Sequence, residues 1–152
     1  PYQKNAHQTQ AKKKDLFVMK KLGFSIFIYL ISTMASAEVF EIGNDQLSSL
    51  IEKQVPIIDI RRQEEWNQTG IVKDSILMTF FNKNGKADVE NWLRNLDLVA
   101  KKNEPFILIC RTGRRTSLVA KFLSEKLNYE KVYDVTDGIT EWIKKGNTVV
   151  KP

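Results

Sequence analysis

The sequence holds a single cysteine, and it sits in a run of residues suited to holding an anion: Cys110-Arg111-Thr112-Gly113-Arg114-Arg115-Thr116. Before it, Pro105-Phe106-Ile107-Leu108-Ile109 is the most apolar stretch of the chain and predicts a buried strand ending at Cys110. After it, Thr116-Ser117 predicts the start of a helix running to Leu127, with Leu118, Val119, Phe122 and Leu123 turned inward. The loop between them therefore faces a helix N-terminus, whose free backbone N–H groups and dipole favour negative charge. Gly113 lets the backbone curl with positive φ. Arg111, Arg114 and Arg115 add up to three positive charges. A thiolate is itself an anion, so this environment favours the reactive form of Cys110. A lone cysteine ending an apolar strand is otherwise a small buried hydrophobe. Three arginines, a glycine and a helix start within six residues favour the reactive reading.

The rest of the composition narrows the chemistry. With one cysteine there is no internal disulfide framework and no thiolate zinc cluster. The one histidine is His7, in a polar leader far from Cys110 in sequence. A Cys-His dyad, a Ser-His-Asp triad and an imidazole metal site are then not expected, and neither metal nor cofactor is called for. The formal net charge of +6 hints at nucleic acid, but its distribution argues otherwise. Residues 1–37 carry six lysines against Asp15, whereas residues 38–152 carry 18 basic and 17 acidic residues. The body thus has no electrostatic case for nucleic-acid binding.

Elements that would position Cys110 alternate along the body. Val39 to Ile42, Val55 to Ile60, Ile76 to Phe81, Phe106 to Cys110 and Lys131 to Val135 read as strands. Helices are predicted between and after them. One is capped by Asn44 and carries Leu47, Leu50 and Ile51. A short one around Glu64-Glu65-Trp66 stops at Gly70. A third, capped by Asp88, carries Val89, Trp92, Leu93, Leu96, Val99 and Ala100, and the last runs from Gly138 to Lys145. Glu64 and Glu65 are expected on a solvated face, and Trp66, Trp92 and Trp142 in the core. The alternation predicts an α/β fold, a central parallel β-sheet of about five strands with helices on both faces. Ligands in such sheets bind beyond the carboxyl ends of the strands. Two polar clusters fall there: the Cys110 loop and Asp59-Ile60-Arg61.

With these motifs the body resembles a single-domain rhodanese, a sulfurtransferase, over roughly residues 39–150. Asp59-Ile60-Arg61-Arg62-Gln63-Glu64-Glu65-Trp66 fits the family's D-x-R-x-x-x-E-aromatic segment. Cys110 to Thr116 fits its C-R-x-G-x-R-S/T active loop. Gly138-Ile139-Thr140-Glu141-Trp142 fits its last helix. One departure stands out: the family's frequent G-H-I-x-G-A reads Gly70-Ile71-Val72-Lys73-Asp74-Ser75, without histidine. The resemblance implies that Cys110 carries sulfur as a persulfide, from thiosulfate or a similar donor to cyanide or a thiol. It implies that Arg111, Thr112, Gly113, Arg114, Arg115 and Thr116 line the substrate side, and that Asp59 and Arg61 brace the loop from beneath rather than acting as acid and base. The partners it implies are small sulfur-containing anions and thiol acceptors.

Three other readings are weaker. A Cys-dependent phosphatase uses C-x5-R, whereas here Arg115 is fifth after Cys110 and Thr116 sixth. A non-catalytic rhodanese-like module usually lacks the cysteine. A thiol-disulfide oxidoreductase needs a resolving thiol.

Residues 19–37 read as an export signal. Lys20-Lys21 precede the apolar run Leu22 to Met34, and Ala35-Ser36-Ala37 is a small-x-small cleavage site. The uncharged run is shorter than the ~20 residues of a membrane span. Residues 1–18 are polar and read as a disordered upstream extension without chemistry. The expected mature protein is residues 38–152, one domain, periplasmic or secreted, with no stable membrane insertion once processed.

Overall fold

The computed structural model describes residues 37–152. The extension at 1–18 and nearly all of the signal segment at 19–37 lie outside the described residues. Strands and helices alternate: β1 (Glu38–Ile42), α1 (Asn44–Glu52), β2 (Ile57–Asp59), α2 (Gln63–Thr69), β3 (Ile76–Leu77), α3 (Val89–Val99), β4 (Phe106–Ile109), α4 (Arg114–Leu127), β5 (Lys131–Val135) and α5 (Gly138–Lys144). The five strands form one parallel sheet in the order β1-β5-β4-β2-β3. Among the described residues no helix is long and apolar enough to cross a membrane.

The apolar run of β4 is explained by its central place. Phe106, Leu108 and Cys110 face a core shared with Trp92 and Leu96 of α3 and Val119, Ala120 and Leu123 of α4. Ile107 and Ile109 face the opposite core, shared with Leu47 of α1 and Ile139 and Trp142 of α5. Successive strand residues point to opposite faces, so a strand covered on both sides must be apolar throughout. From β4 the chain turns toward β5, and from β2 it turns the other way toward β3. The carboxyl ends of β4 and β2 thus sit side by side where the winding reverses, the place such sheets use for ligands.

Several local expectations change. The third strand pairs only over Ile76–Leu77, not to Phe81. Beyond it the Met78 carbonyl accepts from the Trp92 Nε1–H at 3.0 Å, and the Thr79 hydroxyl donates to the Arg61 carbonyl at 2.7 Å. Phe80 turns inward to pack edge-on against Trp92. Leu118 is 67% exposed rather than inward, because Val119, Ala120 and Leu123 already fill the buried face of α4. Asn44 lies within α1 and Gly43 is its cap, with Gln46 Oε1 accepting from the Gly43 N–H at 3.0 Å. The Asp88 cap is as expected, accepting from the Asn91 N–H at 3.2 Å. Trp66, Trp92 and Trp142 are all buried.

At the carboxyl end of β2, Asp59 and Arg61 are both 0% exposed. The Arg61 Nη2 meets Asp59 Oδ2 at 2.7 Å, and its Nε–H meets both carboxylate oxygens at 3.0 Å. The remaining donors reach α2 and its end: Nη1 donates to Thr69 Oγ1 at 2.7 Å and Nη2 to the Gly70 carbonyl at 2.8 Å. A buried guanidinium satisfied on every side fixes α2 to the sheet. Replacing Arg61 with Ala would leave Asp59 charged, buried and unpaired, a change that typically costs about 3–5 kcal/mol. Urea unfolding of Arg61→Ala should show that loss, and the double variant Asp59→Ala/Arg61→Ala should recover part of it.

Candidate functional site

Cys110 directly follows β4, at the floor of the loop, and is 1% exposed. The helix after it begins at Arg114, two residues earlier than the sequence pattern predicts. Gly113 is its N-cap, with φ of 83°. This left-handed turn carries the chain from the strand end into the helix. Among the described residues, the N–H groups of Arg111 to Thr116 donate to no protein acceptor. Their first turn belongs to α4, so the dipole of a 14-residue helix points its positive end at the loop. Thr116 Oγ1 lies 3.6 Å from Cys110 Sγ and donates to the Gly113 carbonyl at 2.9 Å.

The turn between β5 and α5 clamps the loop from the other side. Ile139 N–H donates to the Cys110 carbonyl at 2.9 Å, and the Thr140 N–H and hydroxyl donate to the Arg111 carbonyl at 3.1 and 2.7 Å. The backbones pass so closely that a Cβ at Gly138 would lie 2.5 Å from the Cys110 carbonyl oxygen. A Cβ at Gly113 would overlap the Thr136 carbonyl. The glycine that opens the last helix is therefore part of the cysteine's support.

The arginines divide by role. Arg115 is only partly exposed and clamps Glu65 of α2 with two bonds, Nη1 to Oε2 at 2.8 Å and Nη2 to Oε1 at 2.6 Å. Its guanidinium also faces the Cys110 sulfur, and is held above its ordinary pKa first by the Glu65 bond and in part by that sulfur. Glu65 is thus not on a solvated face, as its place beside Glu64 predicts. Its side chain is 12% exposed, between Arg115 and Arg62. Each member falls in a recognisable motif, but nothing near either one in sequence points to the other, fifty residues away. Arg111, Thr112 and Arg114 are exposed. Neither Arg111 nor Arg114 has an ion-pair partner among the described residues. Arg111 borders a cavity of about 190 Å³ with Gln68, Thr140, Ile139 and Ile143. A larger hollow between α3 and the end of α4, lined by Leu93, Arg94 and Tyr129, lies away from the loop.

Asp59 and Arg61 do lie beside the site, but they make no hydrogen bond to residues 110–116 among the described residues. Their support is indirect: Arg61 holds α2, and Glu65 of α2 holds Arg115. Sequence reasoning set Glu65 on a solvated face and gave Thr140 no part in holding the loop, whereas both are bonded to it.

The fold and site define an α/β domain that presents one cysteine in an arginine-rich loop before a helix N-terminus, at the carboxyl edge of a parallel sheet. Residues 43–145 match the rhodanese-like domain family, and the chain belongs to it. A rhodanese domain-containing protein of Drosophila melanogaster is 32% identical over 97 residues, 60% of this chain and 84% of that one. The crystal structure of a rhodanese-related protein from Thermoplasma volcanium has a TM-score of 0.54 at 25% identity, covering 74% of this chain and 99% of that one. The polysulfide-sulfur transferase homodimer of Wolinella succinogenes shares the fold, with a TM-score of 0.57 at 18% identity over 84% of this chain and 89% of that one.

The Glu65–Arg115 clamp predicts a pH effect. Burial pulls the Glu65 carboxyl up, but the bond from Arg115, the Arg62 N–H and both positive charges outweigh it and hold it at about 2, below the ordinary 4.5. A depressed carboxyl stabilises the fold fully above 4.5 and loses that contribution as pH falls toward about 2. Glu65→Gln should therefore be less stable than the parent at neutral pH, with the gap closing across that acid window. Thermal melts of both proteins at stepped pH measure it.

Proposed function

We propose that the protein is a sulfurtransferase that carries sulfane sulfur on Cys110. The carrying observation is the cradle of free N–H groups and guanidinium charge around one buried cysteine, with no histidine among the described residues. Such a cradle stabilises a thiolate without a general base and then an anionic persulfide in the same place. The thiolate attacks the outer sulfur of thiosulfate, the S–S bond of the donor breaks, and sulfite leaves with the bonding pair. Cyanide or a thiol then attacks the outer persulfide sulfur and regenerates the Cys110 thiolate. Arg111 and Arg114 are exposed and, among the described residues, have no ion-pair partner; in this reading they meet the anionic end of the donor. The Wolinella succinogenes protein of the same fold is a polysulfide-sulfur transferase, which supports this reading.

Intact-mass measurement after thiosulfate treatment tests it. The parent should gain the mass of one sulfur atom and lose it to cyanide. Cys110→Ala should gain none and show no turnover; turnover surviving in that variant would overturn the mechanism.

The Lys-Lys, apolar run and Ala-Ser-Ala order further supports export, with cleavage after Ala37 and a periplasmic or secreted product free of the membrane. N-terminal sequencing of the native protein should begin at Glu38. A chain retained in the membrane fraction with Leu22 to Met34 intact would refute export by cleavage.

A further inference from the structure

The cavity of about 190 Å³ that Arg111 borders is lined otherwise by the end of β2, by α2 and by α5. Two of its wall residues are bonded to the cysteine's own segment. The Ile139 N–H donates to the Cys110 carbonyl at 2.9 Å, and the Thr140 N–H and hydroxyl donate to the Arg111 carbonyl at 3.1 and 2.7 Å. The cavity therefore lies against the peptides that carry the nucleophile.

Most polar groups in its wall are already engaged. Arg61 directs its donors to Asp59, Thr69 and Gly70. The Glu65 carboxylate accepts from Arg115 and the Arg62 N–H, and the Thr69 hydroxyl donates to the Glu65 carbonyl at 3.0 Å. The Arg111 guanidinium is left, exposed and without an ion-pair partner among the described residues, together with the exposed amide of Gln68. The rest is carbon: Ile139 is buried, and Ile143 keeps 39% of its surface exposed. A carbon wall adds affinity only for a ligand with an apolar part. Thiosulfate has no such part, and cyanide is a diatomic anion.

We propose that this cavity holds the sulfur acceptor, and that the acceptor is a small organic thiol carrying a carboxylate. The inference rests on the sulfur-carrier reading of Cys110 and narrows its second half-reaction. Sulfite has left before the acceptor enters, so Arg111 is free to meet the carboxylate, whose two oxygens match the planar guanidinium fork. Gln68 offers a further donor, and the carbons between carboxylate and thiol lie against Ile139 and Ile143. At ~30 Å³ for a water-sized group, the cavity takes about six such groups, the size of a three-carbon mercapto acid. Glu65 does not oppose the ligand's charge, because Arg115 and Arg62 neutralise it. The acceptor thiolate attacks the outer sulfur of the Cys110 persulfide, and the S–S bond breaks. Its electron pair stays on Cys110 as the thiolate, and the outer sulfur leaves with its proton as the acceptor's persulfide.

The test separates binding from transfer. The binding probe is 3-(methylthio)propionate, which has the carboxylate and the carbons but no free thiol, titrated into the protein while backbone amide NMR signals are followed. Saturable shifts should centre on Gln68, Arg111, Thr140 and Ile143. The uncharged 3-(methylthio)propan-1-ol should bind about tenfold more weakly or worse, as expected for the loss of one charge-assisted contact. Ile143→Trp, which fills the cavity from a half-exposed position, should remove saturation, whereas Arg94→Gln on α3 should bind as the parent does. With thiosulfate as donor, 3-mercaptopropionate should exceed 3-mercaptopropan-1-ol in kcat/KM by about tenfold, for the same reason. Equal binding of acid and alcohol, or equal turnover of the two thiols, would overturn the proposal, and neither comparison needs a variant. Shifts that persist in Ile143→Trp would overturn it as well. A protein that gains sulfur from thiosulfate but gives no saturable shift keeps the proposed function and loses this subsite. A protein that binds the probe but never gains sulfur loses the proposed function, and the acceptor role falls with it.

Discussion

A guanidinium without access to water must find an acceptor for each of its N–H groups, and Arg61 meets that demand from two elements at once. Asp59 at the end of β2 takes the charge, while Thr69 and Gly70 at the end of α2 take the remaining donors. Taking both ions out of water is expensive, so the arrangement holds only while α2 keeps its place. That makes α2 a rigid part of the sheet's carboxyl edge although it is only seven residues long. Glu65 is then a carboxylate held at a fixed point, and Arg115 is held by it. The position of a guanidinium beside the Cys110 sulfur thus descends from an ion pair that never touches the loop.

The opposite flank of the loop is held without charge. Gly113 and Gly138 bring two backbones closer than any side chain would permit, and three hydrogen bonds from Ile139 and Thr140 close the gap. The two carbonyls of the Cys110–Arg111 segment are thereby bound to the start of α5. Among the described residues the N–H groups that follow them have no protein acceptor. Satisfying the acceptors and sparing the donors leaves a strand-to-helix turn with the free donors that suit an anion.

What could be read from the sequence follows from range. The β4 run, the glycine, the arginines and the helix after them are neighbours along the chain, and the loop follows from their order. Helix faces were legible where apolar residues recur at helical spacing, as at Trp92 and Leu96, and misread at Leu118, where tertiary packing had already filled the face. The bond from Glu65 to Arg115 could not be read locally: Glu65 fits the acidic position of a motif, but beside Glu64 it has the pattern of a solvated turn, and its partner lies in another element.

The distribution of charge around the sulfur then acquires a reason. Three arginines crowded on one loop would repel one another and hold a thiolate so firmly that the proposed sulfur transfer would gain little driving force. Glu65 neutralises Arg115, leaving its direction fixed and its net field small. Arg111 and Arg114 remain in water, where solvent screens them until an anion arrives. Close to the sulfur the main stabilising field is then that of oriented backbone N–H groups, which carry partial charges and need no reorganisation. A nucleophile held by dipoles and approached past exposed cations can be anionic and still reactive. A cysteine salt-bridged directly to an unpaired arginine would give up much of that reactivity to the bond.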